Sequence, residues 1–166
     1  DAVARGLVRR LVLNDIGPLV PASGMAPIAE RVGLAPDFDD LAAAEIYQRE
    51  VCAEWGELSD EAWMHLTLNS LRRRDGGGFA YHHDPAIGAA LRAKGALRDV
   101  ETWPWWRRIK CPVLALRGAQ SNILLAATAA EMRRDGAEVI EYPGIGHAPS
   151  LMVAEQIEAV TGWLRA

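Results

Sequence analysis

His147 closes the run Glu138-Val139-Ile140-Glu141-Tyr142-Pro143-Gly144-Ile145-Gly146-His147, which reads as a short strand, a glycine-rich turn and a histidine just past it. That pattern suits a general base. The strand fixes the turn, and the turn presents the imidazole at the carboxyl edge of a sheet. A base of this kind serves a nucleophile, yet Ser23, Ser59, Ser70, Ser121 and Ser150 all lie outside any Gly-x-Ser-x-Gly elbow. The chain therefore reads as part of a catalytic machine whose nucleophile is not in the sequence.

The elements that must position the histidine follow from apolar patterning. Val8 to Leu13 is short, β-branched and apolar, and Asn14-Asp15-Ile16-Gly17-Pro18 ends it as a strand followed by a turn. Pro112 to Leu116 is a second buried strand, and Leu125 to Arg134 is a helix stopped by Asp135-Gly136. Val139 to Tyr142 is a third strand, and Val153 to Leu164 is a closing amphipathic helix. This alternation implies parallel strands joined by crossover helices, with all three strands apolar on both faces. Between the first and second strands the pattern is helical from about Met25 to Gly95. Asp37 is expected to cap a helix through about Trp55, and Ser59 caps the next, with Asp60 and Glu61 complementing its positive end. Gly76-Gly77-Gly78 forces a turn, and Asp84-Pro85 opens a further helix.

Composition bounds the function. Of 166 residues, half are hydrophobic and about a quarter charged, enough for one soluble domain with a core. A net charge of −4 with no basic patch argues against nucleic acid, and no apolar run approaches the length of a membrane span. Cys52 and Cys111 lie far apart, so a disulfide framework is not expected and a reducing cytoplasm is the default. The opening Asp1-Ala2-Val3-Ala4-Arg5 has neither a signal-peptide core nor an initiating methionine, as in a chain processed, engineered or cut from something longer.

Three motifs in order carry a resemblance: Leu11-Val12-Leu13-Asn14-Asp15-Ile16-Gly17-Pro18, then Ile109-Lys110-Cys111-Pro112-Val113-Leu114-Ala115-Leu116-Arg117-Gly118, then Pro143-Gly144-Ile145-Gly146-His147-Ala148-Pro149. Together they resemble the C-terminal half of a capped α/β-hydrolase. The resemblance implies an α/β class with a partial α/β-hydrolase fold: three parallel strands, the sixth to eighth of eight, with flanking helices. Residues 1–20 and 101–166 would form the core and residues 21–100 a helical cap, or lid. It implies a nucleophile–histidine–acid mechanism with His147 as general base. The family's acid falls shortly after the seventh strand, often in Gly-x-x-Ser-Asp. Here Gly118-Ala119-Gln120-Ser121-Asn122 puts an amide, Asn122, at that position. An amide cannot offset a full imidazolium charge, which leaves a weakened enzyme, a dead one, or an acid from elsewhere. Asp15 is the alternative acid, since some members carry it after the sixth strand. The plainer reading, placed first, is that Asp15 organises its own turn before Gly17-Pro18.

Other residues rank lower. His82-His83-Asp84 invites a metal reading, but adjacent histidines do not converge readily, and a solvated loop or a cap contact is the better account. No metal or cofactor is expected. Trp103, Trp105 and Trp106 could line a pocket, but read first as packing where the helical insertion returns to the core. Arg72-Arg73-Arg74 reads as an exposed helix end, and Cys111 as inert. The expected function is a fragment of a hydrolase acting on a small, mostly apolar ester or related carbonyl substrate, inactive alone. The alternative is a non-catalytic ligand-binding or interaction protein of the same fold. The first strand would lack its upstream neighbour, so self-association through the open sheet edge is expected.

Overall fold

The computed structural model describes residues 6–34, 36–93 and 97–166; the opening Asp1 to Arg5 and the helical limit expected at Lys94 and Gly95 lie outside the described residues. The elements run β1 (Leu11–Asn14), β2 (Leu19–Val20), α1 (Ala22–Arg31), α2 (Leu41–Val51), α3 (Asp60–Ser70), β3 (Leu71–Arg73), β4 (Phe79–Tyr81), α4 (Ala86–Ala93), β5 (Val100–Glu101), α5 (Trp103–Trp106), β6 (Val113–Gly118), α6 (Ala126–Arg134), β7 (Glu138–Tyr142) and α7 (Ala154–Arg165). They divide into two compact units. One comprises Asp1–Gly24, Glu54–Gly56 and Arg98–Ala166; the other comprises Met25–Ala53 and Glu57–Leu97. The division falls inside α1. It also assigns three residues from the middle of the helical insertion, Glu54–Gly56, to the first unit, which nothing in the sequence pattern signals.

The first unit is built on a three-stranded parallel sheet in the order β1-β6-β7. Period-two alternation sends Leu11, Leu13, Val113, Ala115 and Val139 to one face, against Trp106, Leu124, Ala129 and Met132. Val12, Leu114, Leu116, Ile140 and Tyr142 go to the other, against Val160 and Trp163. Every residue of β6 is buried, as for a central parallel strand. β1 and β7 depart from the expected two-sided burial: β1 is half-buried along its length, and Glu138 and Glu141 of β7 are exposed. The reason is that, among the described residues, each has a ladder partner on one side only. The register pairs Asn14 with Leu116 and Gly118 with Tyr142, so the carboxyl ends of all three strands lie side by side.

The second unit is helical with one hairpin. Asp40, not Asp37, caps α2 by accepting the Ala43 N–H at 2.8 Å, while Asp37 pairs with Arg74 at 2.9 Å. Ser59 caps α3 as expected, accepting from Ala62. Arg72 and Arg73 are not a helix end. They belong to β3, which pairs antiparallel with β4. The turn residues Gly77 and Gly78 have φ of +94° and +74°, which only glycine adopts cheaply, and Phe79 and Tyr81 favour a strand.

A candidate catalytic His–Asp site

The site is assembled where β1 and β6 end. Asp15 follows β1 directly, and its N–H still continues the ladder by donating to the Leu116 carbonyl at 2.8 Å. Its φ of +53° lies in the left-handed region, which aspartate tolerates better than most residues. The side chain is fully buried. Oδ1 accepts the Gly118 N–H at 3.0 Å, and Oδ2 lies 2.8 Å from Nδ1 of His147. The expectation that Asp15 organises its own turn is thus corrected: both of its oxygens serve groups more than a hundred residues away. A carboxylate oxygen can only accept, so in this contact Nδ1 is the donor, and in the neutral form of that tautomer the lone pair is on Nε2. The His147 side chain keeps 31% of its exposure, so the ring is held at Nδ1 and remains reachable from solvent.

The loop bearing His147 sits against the end of β6. The Ala119 N–H donates to Tyr142 and the Gln120 N–H to Ile145, both at 2.9 Å. Gly118 is required by this approach, because a Cβ there would stand 2.0 Å from the Gly146 carbonyl oxygen. Three further bonds reach the loop. The Gly146 N–H donates to the Glu54 carbonyl at 2.7 Å, Trp55 Nε1 donates to the His147 carbonyl at 3.2 Å, and Asn14 Nδ2 donates to the Pro149 carbonyl at 2.9 Å.

Asn122, at the family's acid position, is exposed on the loop after β6 and is not brought to the imidazole, whose Nδ1 is bonded by Asp15. The loop has its own anchors. Ser121 Oγ accepts the N–H groups of Ile123 and Leu124 at 3.1 Å each, and buried Arg117 donates to the Leu124 carbonyl at 2.7 Å while pairing with Glu141. His83 lies beside the Tyr81 ring, and His82 is exposed. Among the described residues, no three His, Cys, Asp or Glu side chains gather as a metal set. Trp106 is buried and donates to Asp135 at 2.9 Å, whereas Trp105 is exposed. In the second unit, Tyr81 donates to Gln48, which donates to the Cys52 thiol at 3.3 Å. Burial pushes the Tyr81 phenol above its ordinary range and the Cys52 thiol up to about 11. Sequence reasoning missed Asn14, Trp55 and Gly118 as parts of the site. Only Gly118, a glycine ending a buried strand, carried a signal that could have been read.

No protein-family model matches the sequence. A candidate hydrolase from Rickettsia typhi superposes over 98% of the chain with a TM-score of 0.87 at 31% identity. An α/β hydrolase from Novosphingobium aromaticivorans does so over 99% with a TM-score of 0.84 at 29% identity. The chain has the fold of the C-terminal half of an α/β-hydrolase. It spans 56% and 61% of the lengths of those two hydrolases. In sequence, the chain is 33% identical over 159 residues to the 3-hydroxybutyrate-oligomer hydrolase of Cupriavidus necator, matching 90% of the chain and 54% of that enzyme. Among the described residues, no helix is long and apolar enough to cross a membrane.

Proposed function

We propose that the chain supplies the base and the acid, His147 and Asp15, of a nucleophile–histidine–acid hydrolase acting on a small, mostly apolar ester, the nucleophile lying outside this sequence. The observation that carries this reading is the fully buried Asp15 carboxylate at 2.8 Å from Nδ1 of His147. In the reaction, Nε2 takes the proton of the nucleophile as it attacks the acyl carbon. Asp15 stabilises the imidazolium, and the same proton then passes to the departing alcohol. Water completes the cycle by the same route, releasing the acid. Asp15 fills the acid's role that Asn122 cannot, so the amide at that position need not mean lost catalysis. A purely ligand-binding protein would have no use for an imidazole aligned by a buried carboxylate. The relative from Cupriavidus necator is named for oligomers of 3-hydroxybutyrate, which are joined by ester bonds, and this supports an aliphatic hydroxy-acid ester as the substrate class.

The test is hydrolysis of p-nitrophenyl butyrate and of a 3-hydroxybutyrate dimer by a protein that carries this chain together with a nucleophile-bearing segment. His147→Ala should reduce turnover to background on both. Residues 1–166 alone should show no hydrolysis above the His147→Ala control, because the nucleophile and the oxyanion donors supply most of the rate. Full turnover by the His147→Ala protein would contradict the reading.

A further inference from the structure

A ring bonded through Nδ1 alone has one fixed atom. Where its Nε2 points then depends on where the main chain of the same residue is held. In this structure that main chain is gripped by residues outside the strand–turn motif. Glu54–Gly56 interrupts the helical unit in sequence but belongs to the sheet unit. It touches the histidine loop residue by residue. Glu54 accepts the Gly146 N–H at 2.7 Å, and its side chain lies so close that a Cβ on Gly146 would stand 2.5 Å from Oε2 and 2.8 Å from the Glu54 Cβ. Trp55 Nε1 donates to the His147 carbonyl itself at 3.2 Å. Two residues on, Asn14 Nδ2 donates to the Pro149 carbonyl at 2.9 Å. The other end of that amide, Oδ1, is buried with no hydrogen-bond partner among the described residues. An amide kept in such a place serves the one bond it makes, because an apolar side chain of the same size would avoid burying an unsatisfied acceptor.

We propose that Trp55 and Asn14 are positioning residues that clamp the main chain on and after His147 and so set the direction of its imidazole. The proposal rests on the catalytic role given to His147 above, but its test reads the ring directly. In the chain of residues 1–166, the Nδ1 proton shared with Asp15 should give a downfield proton resonance that Asp15→Asn removes. Trp55→Phe keeps an aromatic ring and loses the N–H donor; Asn14→Leu keeps the size and loses the amide. Each should speed exchange of that proton with water by about five- to tenfold, the equilibrium equivalent of one ordinary hydrogen bond, with the melting temperature held within a few degrees. In a nucleophile-bearing protein each should lower kcat and leave KM unchanged. Unchanged exchange and unchanged kcat in both variants would overturn the clamp, as would a rise in KM at constant kcat. If one variant fails to fold, the other decides by the same two readouts. Loss of the resonance in Asp15→Asn with full activity retained would instead overturn the catalytic reading, while the exchange rates still judge the clamp.

Discussion

A carboxylate taken out of water is costly unless its oxygens find donors, and both oxygens of Asp15 have them. That makes Asp15 hard to replace: Asn keeps the shape, but it can turn its NH₂ toward the ring and favour the wrong tautomer. His147 was legible because a glycine-rich turn after a strand is a local pattern. The pairing of that ring with Asp15 rather than Asn122 was not, because Asp15 lies 132 residues from the histidine and only the parallel register of β1, β6 and β7 brings them together. At the same scale, Cys52 offers a pH test. Burial raises its thiol from an ordinary 9.0 to about 11. A group whose folded pKa is raised contributes stability below its unfolded value and loses that contribution as pH climbs through the folded one. Stability should therefore decline between pH 9.0 and about 11, and Cys52→Ser should flatten that limb of a denaturation-against-pH series. At pH 8, iodoacetamide should label half-buried Cys111 well before Cys52; equal labelling rates by mass spectrometry would contradict this burial.

Among the elements, β6 does most to build the site. Its end supplies the N–H that holds Asp15, and Gly118 lets the histidine loop lie on the strand. Gly118→Ala should push the Gly146 carbonyl away, with a cost of about 1–3 kcal/mol typical of overpacking, read as a lower melting temperature together with loss of the His147 ring-proton resonance. A variant that melts and resonates as the parent does would show that the loop yields freely. β6, β7 and α6 were readable because each is a strand- or helix-forming run with a proline or glycine at or near its end, and α7 because Ile157, Val160 and Leu164 recur at helical spacing. The β3–β4 hairpin was not, because three arginines after a helix look the same whether the chain frays or pairs. The glycines that permit the turn do not say whether the chain beyond it pairs back. β2 and β5 are two residues each, too short to leave a pattern.

For the whole molecule, the open side of β1 matters most. Among the described residues β1 pairs only with β6, and beside it runs a groove of 340 Å³ whose lining includes Leu11, Leu13, Ile16, Trp105, Trp106 and Ile109. Trp105 is 71% exposed. An unpaired strand edge next to apolar side chains favours pairing with a second chain, so residues 1–166 alone should self-associate in size-exclusion chromatography with light scattering. A monodisperse monomer with a sharp thermal transition and no binding of an apolar dye would show instead that this edge is self-sufficient. In the function proposed above, Asp15 and not Asn122 is the acid that serves His147. The most direct test of that role is turnover of an activated ester by a nucleophile-bearing protein carrying Asp15→Asn or Asn122→Asp. We predict that Asp15→Asn lowers kcat by about 10⁴-fold, the loss seen for the same exchange in a serine protease triad, while Asn122→Asp changes it little. A gain in turnover from Asn122→Asp, with Asp15→Asn near the parent rate, would contradict the account.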